Sequence, residues 1–399
     1  MEIKYGLISC DDHLAADIDT FTSRMSKEKW GDRIPELRPT QDPKHMAVDW
    51  GEPDTWRWFI NNEPVAPRGV ANCPTAMQTP QWGEAGARRK YFPQRWSDVP
   101  AMVYDPIERT KAMDRDGIDA AVLFVNDPMQ GGTCFNGSDA EFETAVVSTY
   151  NDYAASWHAA SDRLLPLVML PYLGGIENTV NEVQRSYKNG LRFGLEMLAN
   201  PVGNHPSLKH FNDPYWNPLW DACQELEVPI HWHAGGGLSF AFKTMAWKGY
   251  TQNEGQAYGP SGGFSIQAQF LPNVMFSGVL DAYPRLNWVC AETGLGWVNY
   301  ILEGCDHEWE RRHLWTEGMI TRPSELFKRQ MAVDFWYEEA GVELRHKIGM
   351  DNIMWEADFP HSTATYPESW KFVDRTLAGV PQDERNKMLY GNAVQLYKL

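Results

Sequence analysis

The chain has 399 residues, enough for one large core or two smaller ones, and its 43% hydrophobic and 22% charged content is globular rather than disordered. Its 36 basic against 53 acidic side chains leave a formal charge of −17, which repels polyanions and argues against nucleic acid as a partner. The opening "MEIKYGLISCDDH" has no basic stretch before a long apolar one, and "LLPLVMLPYL" (164–173) is shorter than the ~20 residues a bilayer requires. The 6 cysteines are scattered without a CxxC pair, which fits reduced thiols. The expectation is a soluble, cytoplasmic protein with no membrane partner.

In chain order, "IKYGLISC" (3–10) reads as a buried strand. Segment 22–100, rich in Trp, Pro and charge, shows neither helical nor strand period apart from a hairpin expected around "WRWFINNEPV". "IDAAVLFV" (118–125) is the second strand. Ser138 and Glu141 then form a capping box before a helix whose face is Phe142, Val146, Tyr150, Tyr153 and Trp157. "RLLPLVMLPYL" (163–173) is the third strand, and "IENTVNEVQRSYKNG" is a helix closed by Gly190. "LRFGLEMLA" (191–199) is followed by the helix "DPYWNPLWDACQELE" and then the strand "VPIHWHA" (228–234). "LNWVCAET" (286–293), "QMAVDFWY" (330–337) and "NIMWEADF" (352–359) complete a set of eight.

These runs are continuously apolar, as parallel strands covered on both faces must be. Strand–helix alternation through eight strands predicts an α/β fold, a (β/α)8 TIM-type barrel occupying 1–399 as one domain. A doubly wound open sheet is less favoured, because no glycine-rich phosphate loop follows the first strand. Segment 22–100 is expected to be an insertion that caps the barrel mouth.

In such a barrel the chemistry sits at the C-terminal ends of the strands. Polar residues there are Asp11, Asp12 and His13 on the first strand, His231 and His233 on the fifth, Glu292 on the sixth, and Asp358 with His361 on the eighth. Imidazole nitrogen and carboxylate oxygen suit Zn²⁺ or Mn²⁺. Asp11 and His13 share a strand face, whereas Asp12 points the other way and is read as structural. His231 shares a face with His233 but lies one layer deeper, which fits a supporting or core role. Glu292 can be a general base, a metal ligand or an arginine partner; His361 can orient Asp358 or touch substrate. Trp297 is read as packing, the 306–308 "DHE" as a solvated helix face, and the glycine runs at 235–237 and 259–263 as ordinary turns.

Three stretches give these residues a family. "SCDDHLAADIDTF" with "RDGIDAAVLF", "YPRLNWVCAETGLGWVNYILEGCDHEWERR" and "NIMWEADFPHSTATYPES" resemble the amidohydrolase superfamily, in the branch related to amino-carboxymuconate-semialdehyde decarboxylase. The resemblance implies a (β/α)8 barrel with one divalent metal, and hydrolases or nonoxidative decarboxylases as activities. It places Asp11, His13, His233 and Asp358 as metal ligands, with Asp358 also shuttling a proton. Glu292 stands where many relatives have a catalytic histidine. Similar sequences often read D-D-H-x-x-E, and here that glutamate position is Ala16. The resemblance further implies a homo-oligomer.

Two mechanisms use the same rim. A hydrolase would activate water on the metal and pass its proton to Asp358; a decarboxylase would bind the substrate carboxylate and use Asp358 to protonate the carbon that CO₂ leaves. The second carboxylate, Glu292, favours hydrolysis of a small cyclic or aromatic carbonyl or amide compound. Decarboxylation of an aromatic or enoic acid is the alternative. A catalytically dead barrel that only binds is the third reading, motivated by Ala16. The Trp-rich segment 22–100 suggests a flat, aromatic or cyclic substrate.

Overall fold

Each of the eight apolar runs overlaps a strand in the computed structural model, the first only at residues 8–10; the structure describes residues 1–40, 55–65, 70–73, 93–129, 132–135, 138–234, 249, 254, 257–258, 261–262 and 267–399. Contacts gather the chain into two units. The first is Met1–Tyr5, Asp12–Arg192 and Ala357–Ser369; the second is Gly6–Asp11, Phe193–Glu356 and Trp370–Leu399.

β1 (Ile8–Leu14) is buried at every position, and its residues from Asp12 onward belong to the first unit. The expected hairpin is present: β2 (Glu36–Thr40), β3 (Thr55–Ile60) and β4 (Glu63–Val65) form an antiparallel sheet, with Asn61 and Asn62 at positive φ in the turn. The rest of the expected insertion lies largely outside the described residues. β5 (Ala120–Val125) pairs in parallel with β6 (Leu164–Pro166). The third run yields only these three strand residues, because Pro166 and Pro171 cannot donate to a ladder.

Helix Ala140–Ala160 buries Phe142, Val146, Tyr150, Tyr153 and Trp157, the face its spacing predicted. Its cap is Asp139 rather than Ser138: the Asp139 carboxylate accepts from Phe142 N at 2.9 Å, and a negative charge suits a helix N-terminus better than a hydroxyl. The Tyr150 hydroxyl donates to Leu14 O at 2.8 Å and that of Tyr153 to Ala15 O at 3.2 Å, so the helix secures the end of β1.

The second unit holds five parallel strands in spatial order: β7 (Leu195–Glu196), β8 (Ile230–His233), β9 (Trp288–Ala291), β10 (Met331–Phe335) and β11 (Ile353–Trp355). Helices Asn217–Leu226, Gln267–Met275, Val298–Arg311 and Pro323–Gln330 lie between them in sequence. Neighbouring strands being consecutive in sequence is what right-handed βαβ crossovers produce. On β8, Trp232 points opposite to the two histidines and stacks on Trp288 with ring centroids 4.4 Å apart. No helix among the described residues is long and apolar enough to cross a membrane.

Candidate active site

Polar residues collect at the strand ends in each unit. In the second unit, His233 closes β8 and Glu292 follows β9, one residue past Ala291, which pairs with His233 in register. His233 Nε2 lies 3.2 Å from Asp11 Oδ2 and 3.3 Å from Glu292 Oε2. All three residues are buried. Glu292 sits at φ +55°, a left-handed conformation rare outside glycine. Its backbone N–H donates to Glu356 Oε2 at 2.9 Å.

His231 stands apart from this group. Its Nε2 lies 2.9 Å from the Tyr397 hydroxyl, and burial drives its pKa down to about 3, so the ring is neutral. It is a core histidine tied to the C-terminal helix.

In the first unit, His13, Asp358 and His361 each offer a ligand atom within 4.8 Å of the others. Asp358 Oδ1 is 2.7 Å from His361 Nδ1 and 3.3 Å from His13 Nε2, and its Oδ2 accepts from the Thr363 hydroxyl. Burial pushes the Asp358 carboxyl up, but the His361 and His13 imidazoles outweigh it and hold the group well below the usual carboxylate range. Asp358 also occupies the left-handed region, at φ +58°. The two strand-end carboxylates thus share a strained backbone, as site residues commonly do.

Asp12 is structural, as its opposite direction on β1 requires. It accepts Phe359 N at 3.2 Å and lies 3.7 Å from Arg109 Nη1. Arg109, fully buried, also donates to His13 O at 2.8 Å and to Met102 O at 2.9 Å, and its guanidinium covers the Phe359 ring. This clamp fastens β1 to the Asp358 loop. Ala16 is buried and contributes only its backbone N–H, to Asp127 O at 2.9 Å. Trp297 is half-buried, its indole N–H donating to Thr293 O at 2.9 Å. The glycine run at 235–237 lies outside the described residues, and that at 259–263 does so in part.

Sequence reasoning missed four polar residues at this level. Asp334 on β10 is fully buried; burial, then the charge of Asp11, raises its pKa well above the usual range. Glu356 is fully buried behind Glu292. Asn126, at the end of β5, lies 3.3 Å from His361 Nε2, and Asn72 is bonded to Asn126 in turn. A lone acid within the apolar run "MAVDFW", and the first polar residue after "AAVLFV", were the available signals.

Parallel strands separated by helices, with carboxylates and imidazoles at the strand ends, define a metal-dependent α/β enzyme class. The chain belongs to the amidohydrolase family, whose model matches residues 75–399. It is 25% identical over 323 residues to a gamma-resorcylate decarboxylase of Rhizobium radiobacter, covering 76% of this chain and 90% of that protein. Among solved structures, an amidohydrolase from Mycobacterium avium subsp. paratuberculosis superposes with TM-score 0.73 at 18% identity, covering 99% of this chain and 100% of the other. A dihydroxybenzoic acid decarboxylase from a Polaromonas species, solved with manganese and 2-nitroresorcinol, gives TM-score 0.58 at 19% identity over 83% of this chain and 97% of its own.

Proposed function

We propose that the chain is a metal-dependent nonoxidative decarboxylase of a hydroxylated aromatic acid. The observation that carries this reading is similarity along 90% of a gamma-resorcylate decarboxylase. Hydrolysis, favoured from the sequence because Glu292 adds a second carboxylate, gains no support from these relatives, and Glu292 is engaged with His233. The reading takes the eight strands as one (β/α)8 barrel.

Asp11, His13, His233 and Asp358 would hold one divalent ion, manganese or zinc. The donor set fits: within each unit an imidazole Nε2 lies 3.2–3.3 Å from a carboxylate oxygen, the mixed nitrogen and oxygen set such ions prefer. When bound, the ion supplies a Lewis acid for the substrate's carboxylate and a neighbouring oxygen.

The chain's own residues handle the proton. Asp358 is ionised in the free site, and an arriving substrate carboxylate, of like charge, raises its proton affinity. Asp358 then takes up a proton and passes it to the ring carbon bearing the carboxylate. A C–H bond forms there, the C–C bond breaks, its electron pair returns to the ring and CO₂ leaves. His361 keeps its Nδ1–H on Asp358 and fixes the orientation of the carboxyl group.

The test is incubation with Mn²⁺ or Zn²⁺ and a panel of hydroxybenzoates that includes 2,6-dihydroxybenzoate, in oxygen-labelled water. The expected result is equal release of CO₂ and the decarboxylated phenol, with no label in the product. Labelled product without CO₂ would establish a hydrolase, and saturable binding without turnover a binding protein.

A further inference from the structure

β8 carries its histidines on one face only. His231 and His233 point one way and Trp232 the other, toward the helices that cover the sheet. On that far face the second unit holds a cavity of about 560 Å³. Phe211, Trp232, Phe270 and Trp288 wall it, and the exposed amides of Asn212 and Asn273 stand at its edge. The wall is made of ring contacts: Trp232 stacks on Trp288 with centroids 4.4 Å apart, and Phe270 meets Trp232 edge-on, also at 4.4 Å. An apolar void of about 150 Å³ already admits benzene, and small-molecule sites run to roughly 300–1,000 Å³. This cavity falls in the second range.

Its lining fixes the chemistry of an occupant. Among the described residues no Lys, Arg, Asp or Glu lines the cavity, so a charged ligand would lose its water without gaining a countercharge. The indole N–H groups of Trp232 and Trp288, both buried, have no acceptor among the described residues. An N–H orphaned in the interior is costly, and a ligand oxygen would relieve it. Flat ring walls favour a flat ring between them. We propose that this cavity is a second ligand site, for an uncharged one- or two-ring aromatic compound whose oxygen accepts from the Trp232 or Trp288 indole N–H. It lies on the opposite side of β8 from His233 and does not depend on the decarboxylase reading.

The experiment is NMR of the full chain with nitrogen-labelled indoles, without added metal, titrated with 2-naphthol. Trp232→Phe and Trp288→Phe identify the two indole signals by their disappearance. The expected result is a saturable downfield shift of one or both, as an N–H gains an acceptor, with the anion 2-naphthoate producing none. Ala199→Phe, which puts a ring into the cavity from just past β7, should abolish the shift, and Asp358→Asn should leave it intact. Should Ala199→Phe fail to fold, Asn273→Trp fills the cavity from its exposed edge and gives the same readout. No saturable shift, a shift that survives the filled variant, or 2-naphthoate binding as tightly as 2-naphthol would overturn the proposal. A shift lost in Asp358→Asn would put the naphthol at the strand-end carboxylates instead, and would overturn it equally. If the shifts are as expected and no hydroxybenzoate releases CO₂, the decarboxylase reading fails and the second site stands.

Discussion

Glu292 and Glu356, two buried carboxylate residues, are joined backbone to side chain: Glu292 N donates to Glu356 Oε2 at 2.9 Å while residue 292 sits at φ +55°. A left-handed non-glycine residue costs about 1–3 kcal/mol and persists only where its surroundings hold it. Glu356, on the residue after β11, supplies that hold, and Glu292 can thereby keep its own carboxylate on His233. Glu356→Ala should lower stability by about 1–3 kcal/mol, the cost of leaving a buried N–H unsatisfied, and should also reduce turnover. Urea unfolding beside steady-state kinetics checks both. A variant with lost activity and an unchanged unfolding midpoint would mean that Glu356 does not hold the backbone.

The Arg109 clamp predicts a larger effect. Burial pulls the Arg109 guanidinium down to about 10, with Asp12 raising it, so the side chain stays charged at neutral pH. Arg109→Met takes the buried countercharge from Asp12 and removes the donor to the carbonyls of His13 and Met102. Breaking a buried pair from one side costs about 3–5 kcal/mol. Adding Asp12→Asn should recover part of that loss, which a double-mutant cycle by thermal melting would read. If the two changes simply add, Arg109 holds the carbonyls alone and the pairing with Asp12 contributes nothing.

How far the sequence could be read depends on the kind of signal. The strands were legible because both faces are covered, so "AAVLFV" and "WVCA" needed no partner to be recognised. The ends of strands were not, since they depend on which N–H finds an acceptor; 191–199 shrinks to Leu195–Glu196 for that reason. Asp11, His13, His233, Glu292, Asp358 and His361 stand out as candidates because a charged or imidazole group ending an apolar run is conspicuous. Asn126 and Glu356 do not, because their role lies in hydrogen bonds to residues far away in sequence, His361 and Glu292. The cap at Asp139 was missed by one position, where two adjacent residues could both serve.

Glu143 gives a pH prediction well away from the site. It is fully buried, with its two oxygens accepting Tyr172 N at 3.0 Å and Leu173 N at 2.6 Å. Burial pushes its carboxyl up to about 7 from an ordinary 4.5, against the pull of those two bonds. A carboxyl raised on folding contributes stability that is full below the unfolded value and lost as pH rises through the folded one. Between pH 4.5 and about 7 the fold should therefore lose on the order of 3 kcal/mol from this group. Glu143→Gln should flatten the profile over that window, at the expense of one acceptor. Unfolding free energies across the window test it, and a parallel slope in both proteins would assign the pH dependence to other groups.

Metal binding should also register as stability, independently of turnover. An ion that binds the folded chain and not the unfolded one adds about 2.7 kcal/mol when present at a hundred times its dissociation constant. Mn²⁺ or Zn²⁺ added to chelator-treated protein should raise the melting temperature in a concentration-dependent way. Asp358→Asn and His13→Ala should each weaken that response, because the first gives up a charged oxygen and the second an imidazole nitrogen. In the metal-free state these variants need not be less stable, since each removes a charged or polar group from a fully buried position. Ala16→Glu adds a carboxylate three residues past His13 and should steepen the response if that position reaches the ion. A melting temperature indifferent to both metals in the parent protein would remove the ion from the site, and the decarboxylase reading would fall with it.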